Sequence, residues 1–481
     1  VDPVRSTRRV VRCLLCLACL WPASRGTRAE DASTIADPAP NPAPTRPAIG
    51  FNRWQEDWSV LADPALRTQP FDALKYIPLS KTNPKSYLSW GANLRERFER
   101  IDAPAFGTGP QHGDSYLIQR AEIHADLRPN EHWQIFAQLQ DDRAFEKKVI
   151  TPVDKDEFDL EQAFVTYTGP FAGGTVKARL GRQEMGFDLQ RFVAVRDGPN
   201  VRQAFDAAWL DWELPQWRFI TFWSKPVQNR SDRAFDDHSN HHLQFGGFRI
   251  ERANLGPGDL SIYYSRFQQD NAEFLDAAGN ERRNIVDMRY AGGISGFDWD
   301  IEGMGQFGRV GSSDTQAWAF GARTGYTFAD IPWQPRLGLQ VDAASGDRHP
   351  NDGKLETFNP LFPNGYYFTL AGFTGYSNLI HVKPSVTVKP VDGLTLMGAV
   401  GLQWRESTAD AVYVQPDIPV AGTAGEGGSW SGYYLQGRAD WAVTADVATA
   451  VEVVHFDVGN AIRSAGGRNS DYLGVELKLG W

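Results

Sequence analysis

From Tyr87 onward the chain repeats with a period of two, and one face of each repeat is unlike the other. In the segment LSWGANLRERF, Leu88, Trp90, Ala92, Leu94 and Phe98 share one face, while Ser89, Asn93, Arg95, Arg97 and the following Glu99 share the other. In LIQRAEIHADLR, Leu117, Ala121, Ile123, Ala125 and Leu127 oppose Arg120, Glu122, His124, Asp126 and Arg128. Alternation of this kind marks strands between two different environments. About 18 such segments of roughly 10 residues follow one another, a length that suits tilted strands crossing a bilayer.

A soluble β-sandwich also alternates, so the connections decide. They alternate in size: Asp102 to Asp114 is long and Pro129-Asn130-Glu131 tight, Arg143 to Glu157 long and Gly169 to Gly173 short. The same holds for Met185 to Arg202 against Leu214-Pro215, Lys225 to Asn240 against Ala253 to Gly258, and Gln268 to Glu281 against Ser295-Gly296. Gly308 to Asp314 is intermediate. Ser345 to Tyr376 and Arg405 to Ser429 are the longest, with Pro390 to Gly393 and Thr444-Ala445 as their short counterparts. Loops sorted by side in this way predict an all-β, transmembrane antiparallel barrel of about 18 strands, with short periplasmic turns and long external loops. The expected location is the outer membrane of a Gram-negative bacterium, in contact with its lipid. Trp90, Trp133, Tyr167, Trp209, Tyr290, Tyr433 and Trp441 fall on the apolar parities, some near strand ends, where aromatic girdles form.

The first residues read differently. Arg5, Arg8, Arg9 and Arg12, the apolar run Val10 to Trp21, and small residues up to about Ala29 have the order of an export signal, residues 1–29. Residues 30–86 read as a Pro-rich spacer and a short periplasmic segment, in which Trp54, Trp58, Leu61, Leu66, Phe71 and Leu74 are available to dock. Residues 87–481 are the expected barrel. All three cysteines, Cys13, Cys16 and Cys19, lie in the signal, which removes disulfides and cysteine-ligated metals from the exported chain. The net charge of −10 disfavours nucleic acid as a partner.

Little resembles a catalytic or cofactor site, and neither cofactor nor metal is expected. Gly303-Met304-Gly305-Gln306-Phe307-Gly308 has the GxGxxG spacing but lies within a strand with no helix after it. Asp236-Asp237-His238-Ser239-Asn240-His241-His242 contains the residue types of a metal or hydrolytic cluster, but in a loop without fixed spacing it reads as solvated. The inward parities carry Arg95, Arg97, Arg120, Lys177, Arg179, Arg289, Arg336, Lys383 and Arg438 beside Glu99, Glu122, Asp126, Asp206, Asp287, Asp300, Glu302, Asp342 and Asp440. A wet lumen would spare these charges the cost of burial, and guanidinium groups facing water attract carboxylates and phosphates. The expected partners are an anionic saccharide or a small organic anion.

Several segments resemble the bacterial alginate export family. They are RWQEDWSVL and DALKYIPL near the start, LGRQEMGFDLQRFV (Leu180 to Val193), NVRQAFDAAWL (Asn200 to Leu210), the run from Ala343 to Phe368, and VEVVHFDVGNAI near the end. The resemblance implies an 18-stranded barrel that conducts an anionic polyuronate outward through a lumen lined by arginines. It adds Arg182, Arg191, Arg202 and Asp206 as lumen or constriction residues. It also implies a long periplasmic loop late in the barrel that acts as a plug, where this sequence has only Thr444-Ala445. Alternatives are a nutrient-uptake porin without polymer specificity, an outer-membrane enzyme, and a structural barrel closed by a loop such as Ser345 to Tyr376. The final strand, Leu473 to Trp481, is expected to turn its apolar parity to lipid, to put Glu476 and Lys478 in the lumen, to pair with the first strand, and to engage the barrel-assembly machinery through Trp481.

Overall fold

The computed structural model describes residues 45–109, 112–231 and 233–481, so the signal segment 1–29 lies outside the described residues. A closed antiparallel barrel of 18 strands forms from Tyr87 onward. In chain order the strands are β1 (Tyr87–Ile101), β2 (Asp114–Arg128), β3 (Trp133–Phe145), β4 (Asp156–Phe171), β5 (Gly174–Glu184) and β6 (Ala204–Glu213). Then come β7 (Trp217–Gln228), β8 (Leu243–Leu255), β9 (Gly258–Glu273), β10 (Ala278–Ile294), β11 (Phe297–Val310) and β12 (Ser313–Thr327). The last are β13 (Arg336–Ala344), β14 (Leu379–Val391), β15 (Leu394–Trp404), β16 (Trp430–Ala442), β17 (Val447–Val458) and β18 (Ser470–Gly480). Each strand pairs with its sequence neighbours. The register from Asn93↔Gly480 to Ile101↔Tyr472 joins β18 to β1 and leaves no sheet edge in the lipid.

The faces follow the sequence pattern. Leu180, Met288, Leu337 and Leu435 project outward and are exposed, as are Trp90, Trp133 and Trp441. Trp133 meets Tyr167 across strands at 5.1 Å, an aromatic pair of the kind found in a girdle. Trp209 departs from its expected outward position. It shares the inward register of Phe205 and Ala207 and packs on Phe222 and Phe187.

The connections 129–132, 172–173, 214–216, 256–257 and 392–393 are tight, while 185–203, 345–378 and 405–429 are long. Two external connections are shorter than expected, 274–277 and 311–312. There the ladders of β9 with β10 and of β11 with β12 run on to Glu273↔Ala278 and Val310↔Ser313, with a bulge between Gln269 and Ala272. The space above them is used by the loop 345–378, whose Lys354 and Leu355 pair in parallel with Asp314 and Thr315.

Residues 50–86 dock on the periplasmic mouth as short 3-10 turns and a single helical turn, α1 (Asp72–Lys75). Ile77 and Pro78 pair with Leu88 and Tyr87, and Trp58, Leu61, Tyr76 and Tyr87 form a small core. Arg53 donates to the Trp481 carbonyl at 2.7 Å, and Arg128 donates to the Trp54 and Glu56 carbonyls at 3.2 and 2.7 Å. Trp481 differs from the expected lipid-facing position, because its ring packs at a tilt against Phe71, centroids 4.8 Å apart, and so belongs to this docked segment.

Lys75 is fully buried, its Nζ without a hydrogen-bond partner and lying over the rings of Trp58 and Trp481 at 5.1 and 5.4 Å. Burial, with the nearby Arg53 and Arg46 cations, lowers its pKa to about 7 against the opposing pull of Glu56. The docked segment therefore binds fewer protons than the released one between pH 7 and the ordinary lysine value of 10.5. Docking should strengthen as pH rises through that window. Protection of residues 45–86 from protease is expected to be greater at pH 9 than at pH 7, and Lys75→Met should remove the difference while docking tightly at both.

Candidate functional site

Inside the barrel, the inward arginines meet two loops that fold into the lumen. The first, residues 185–203, turns through left-handed backbone at Asp188, Gln190 and Arg196. Arg95 donates to the carbonyls of Asp197, Gly198 and Pro199 at 3.2, 2.9 and 3.0 Å. Arg120 donates to the carbonyls of Asn200 and Pro199, both at 2.7 Å, and to the Asp197 carboxylate at 2.6 Å. Arg202 closes the clamp by pairing with Asp197 at 2.8 Å, Glu122 at 3.1 Å and Glu184 at 3.3 Å. Burial alone would raise the Asp197 pKa, but Lys478, Arg202, Arg120 and Arg95 around it hold that carboxyl well below its ordinary range. Gly198 has to be glycine for space, since a Cβ there would lie 1.6 Å from the Tyr366 ring.

The second loop, 345–378, packs against the first. Phe362 donates its N–H to the Phe192 carbonyl and accepts from the Ala194 N–H, both at 2.9 Å. Phe192, Phe358, Phe362, Tyr367, Phe368 and Tyr376 join one apolar cluster with wall residues from β6 to β14. Arg191 is fully buried within it, paired with Asp300 at 2.7 Å and Glu302 at 2.5 Å and donating to the Tyr367 hydroxyl at 2.6 Å. Arg289 pairs with the same Asp300 and with Asp188, and Arg249 makes two bonds to Asp188 at 2.6 Å each.

The sequence places a wet ring of free guanidinium groups in the lumen, and the structure corrects this. Arg95, Arg97, Arg120, Arg191 and Arg202 are buried and committed to protein oxygens. Arg97, for instance, bonds Glu99 at 2.6 Å and Glu476 at 3.2 Å and also pairs with Glu452. Arg336 pairs with Asp298, and Arg438 with Asp440 and Glu452. Desolvated guanidinium groups need such partners, and loop carbonyls supply oxygens that the strands have spent on their own ladder.

Arg182 and Asp206 need a second correction. They sit opposite each other in the register of Leu180, Ala208 and Leu210, the outward parity of β5 and β6. They pair at 3.0 Å beneath the loop 229–242, where Ser239 donates to Asp206 at 2.5 Å. The motif that suggested Arg182 is silent about which face a strand residue takes, and the parity that put Asp206 inward and Trp209 outward is reversed in β6. The histidines of the same loop disperse, His241 to Lys225 and His242 to Asp270, and Ser239 bonds a carboxylate rather than a histidine. Among the described residues no nucleophile–base pair forms there.

Below the in-folded loops lies a cavity of about 1840 Å³, lined by the docked segment, the loop 185–203 and the short periplasmic turns 129–134 and 442–448. Acidic and basic side chains line it in similar number, mostly paired: Lys177 with Glu213 at 2.7 Å, and Arg218 with Asp211. Arg179 is different. Its guanidinium lies 3.6 Å from the Trp54 ring centroid and 4.7 Å from that of Phe164, donates a long bond of 3.4 Å to the Thr166 hydroxyl, and has no carboxylate partner among the described residues. Arg179 was legible as an inward cation, but its stacking on Trp54 was not, because the segment carrying Trp54 has no periodicity to place it.

A closed 18-stranded barrel with sorted loops and a large cavity at one mouth defines an outer-membrane channel. The alginate export family model matches residues 86–476, and the chain belongs to that family. Solved barrels share the fold at low identity. OccK2 (OpdF) of Pseudomonas aeruginosa, solved in complex with glucuronate, is 10% identical with a TM-score of 0.53, covering 82% of this chain and 96% of its own. OpdK of the same species, solved with vanillate, is 10% identical with a TM-score of 0.54, covering 82% and 99%. A BenF-like porin from Pseudomonas fluorescens Pf-5 gives 10%, 0.54, 82% and 99%. No curated protein matches the chain by sequence.

The clamp on loop 185–203 can be tested directly. Removing one partner of a buried charge network costs about 3–5 kcal/mol, and each 1.4 kcal/mol is about tenfold in an equilibrium. Arg120→Ala should therefore speed amide exchange at residues 197–200 by at least about a hundredfold and raise single-channel conductance, with Arg120→Lys falling between.

Proposed function

We propose that this channel passes solutes bearing a carboxylate, saccharide acids or small organic acids, and that Arg179 over Trp54 is their first contact on the periplasmic side. The observation that carries this reading is the guanidinium in the cavity wall, without an acidic partner among the described residues and stacked on an indole. A planar guanidinium can hold a carboxylate by two parallel bonds, and the neighbouring indole offers an apolar face to a sugar or aromatic ring. Glucuronate and vanillate, bound to the structural neighbours, both combine a ring with a carboxylate. Family membership supports a polyuronate as the extended form of such a solute.

A second reading, a general uptake porin without polymer preference, is favoured by the balanced charge of the cavity and by the periplasmic connection 443–446, too short to act as a plug. On either reading the loops 185–203 and 345–378 narrow the path through the lumen, so the clamp residues that hold them in place set the conductance.

Planar-bilayer recording separates the readings. Glucuronate and short polyuronates added on the periplasmic side should block the current, and a reversal potential should show anion preference. A hydrogen bond to a charged group contributes about 1.5–3 kcal/mol, so Arg179→Gln should weaken glucuronate block about ten- to hundredfold. Unchanged block in Arg179→Gln would remove the carboxylate reading, and block by glucuronate but not by polyuronate would restrict it to small acids.

A further inference from the structure

We propose that the external rim carries a binding site for one hard divalent cation of the Ca²⁺ type, built by Asp156 and Asp159 of β4 and Asp237 of the loop 229–242. One carboxylate oxygen from each of these residues lies within 4.8 Å of the others. Ca²⁺ binds oxygens at about 2.3–2.6 Å, so two ligands on opposite sides of the ion stand about 4.6–5.2 Å apart, and a single ion fits this envelope. The set contains no nitrogen or sulfur ligand, which selects against zinc and the softer metals.

Crowded carboxylates are common at protein surfaces, but Asp156 is not a surface residue. It is 2% exposed, its Oδ1 is buried without a hydrogen-bond partner, and no cationic side chain pairs with it among the described residues. A buried ionised carboxylate with no donor is among the costlier arrangements in a protein, and a metal ion is one way to satisfy it.

Its neighbours are already oriented. Asp159 accepts backbone N–H groups from Leu160 at 2.7 Å on one oxygen, and from Asp236 and Asp237 at 2.9 and 3.2 Å on the other. Asp237 accepts the Arg230 N–H at 2.7 Å through Oδ1. The nearby guanidinium, Arg182, is engaged with Asp206 at 3.0 and 3.3 Å and reaches only the backbone carbonyl of Asp237, at 3.4 Å. Among the described residues no cationic side chain forms an ion pair with any of the three carboxylates. An ion there ties the loop 229–242 to the wall, and that loop covers the Arg182–Asp206 pair.

The test uses the full chain, purified in detergent and stripped with EDTA. Titration with CaCl₂ should show one ion per chain with a dissociation constant on the order of 10⁻⁴–10⁻³ M, as in other extracellular sites. Calcium should slow amide exchange at residues 229–237 of the wild type. Asp156→Asn and Asp237→Asn should each weaken binding at least tenfold and abolish that protection. Absence of calcium binding by the wild type, or binding unaffected by both substitutions, overturns the proposal. So does protection of 229–237 by mild acid in EDTA with none from calcium, since a proton shared between Asp156 and Asp237 would then satisfy the cluster. The exchange measurement on the wild type stands even if a variant fails to fold.

Discussion

Every other feature of this protein depends on the absence of water in the hydrocarbon layer. A strand there must satisfy each N–H and C=O through its neighbours, and a sheet can do so without remainder only by closing. The pairing of Asn93 through Ile101 with Tyr472 through Gly480 is that closure, and it joins segments at the two ends of the barrel sequence. Once closed, the sheet has an outside that lipid forces to be apolar and an inside freed from that demand. The charge-bearing parity of Arg95, Arg97 and Glu99 exists because Leu94, Phe98 and their like must face the other way.

What the inside does with its charges is a separate question of energetics. A guanidinium removed from bulk water needs acceptors, and the strands' own carbonyls are occupied by the ladder. The loop 185–203 brings a fresh set, the carbonyls of residues 197–200, and Arg95 and Arg120 take them. The same arrangement recurs at Arg191, which enters from the loop and finds Asp300 and Glu302 on the wall. Charge pairing across the loop–wall boundary thus fixes the two in-folded loops, while aromatic packing of Phe192, Phe358 and Phe362 fills between them. The result is a lumen whose cations mostly hold structure, with Arg179 left over at the cavity wall.

The strands, their direction and their faces were legible because a period of two is local: ten residues are enough to display it. Arg95, Arg120, Arg179, Arg289, Arg336 and Arg438 were placed inside from parity alone. Arg182 came instead from a motif, which carries no information about facing, and Asp206 was placed inside by a parity that is reversed in its strand; both lie on the outer register. Trp209 was misplaced because an aromatic near a strand end suggests a girdle, whereas here the register set by Phe205 and Ala207 turns it inward. The aperiodic segments left no such trace. Nothing in residues 185–203 announces that they fold into the barrel, and nothing in FNRWQ announces that Trp54 will lie on Arg179.

The sequence by itself determined a membrane barrel, its strand number and the sidedness of its loops, since these follow from alternation and from connection length. Tertiary structure alone decided which inward charges are free. That depends on contacts between residues far apart in the chain, Arg191 with Asp300 or Gly198 with Tyr366, and a charge's partner is fixed by where folded loops deliver their oxygens. Local pattern cannot encode a distance that closes only when the whole sheet does.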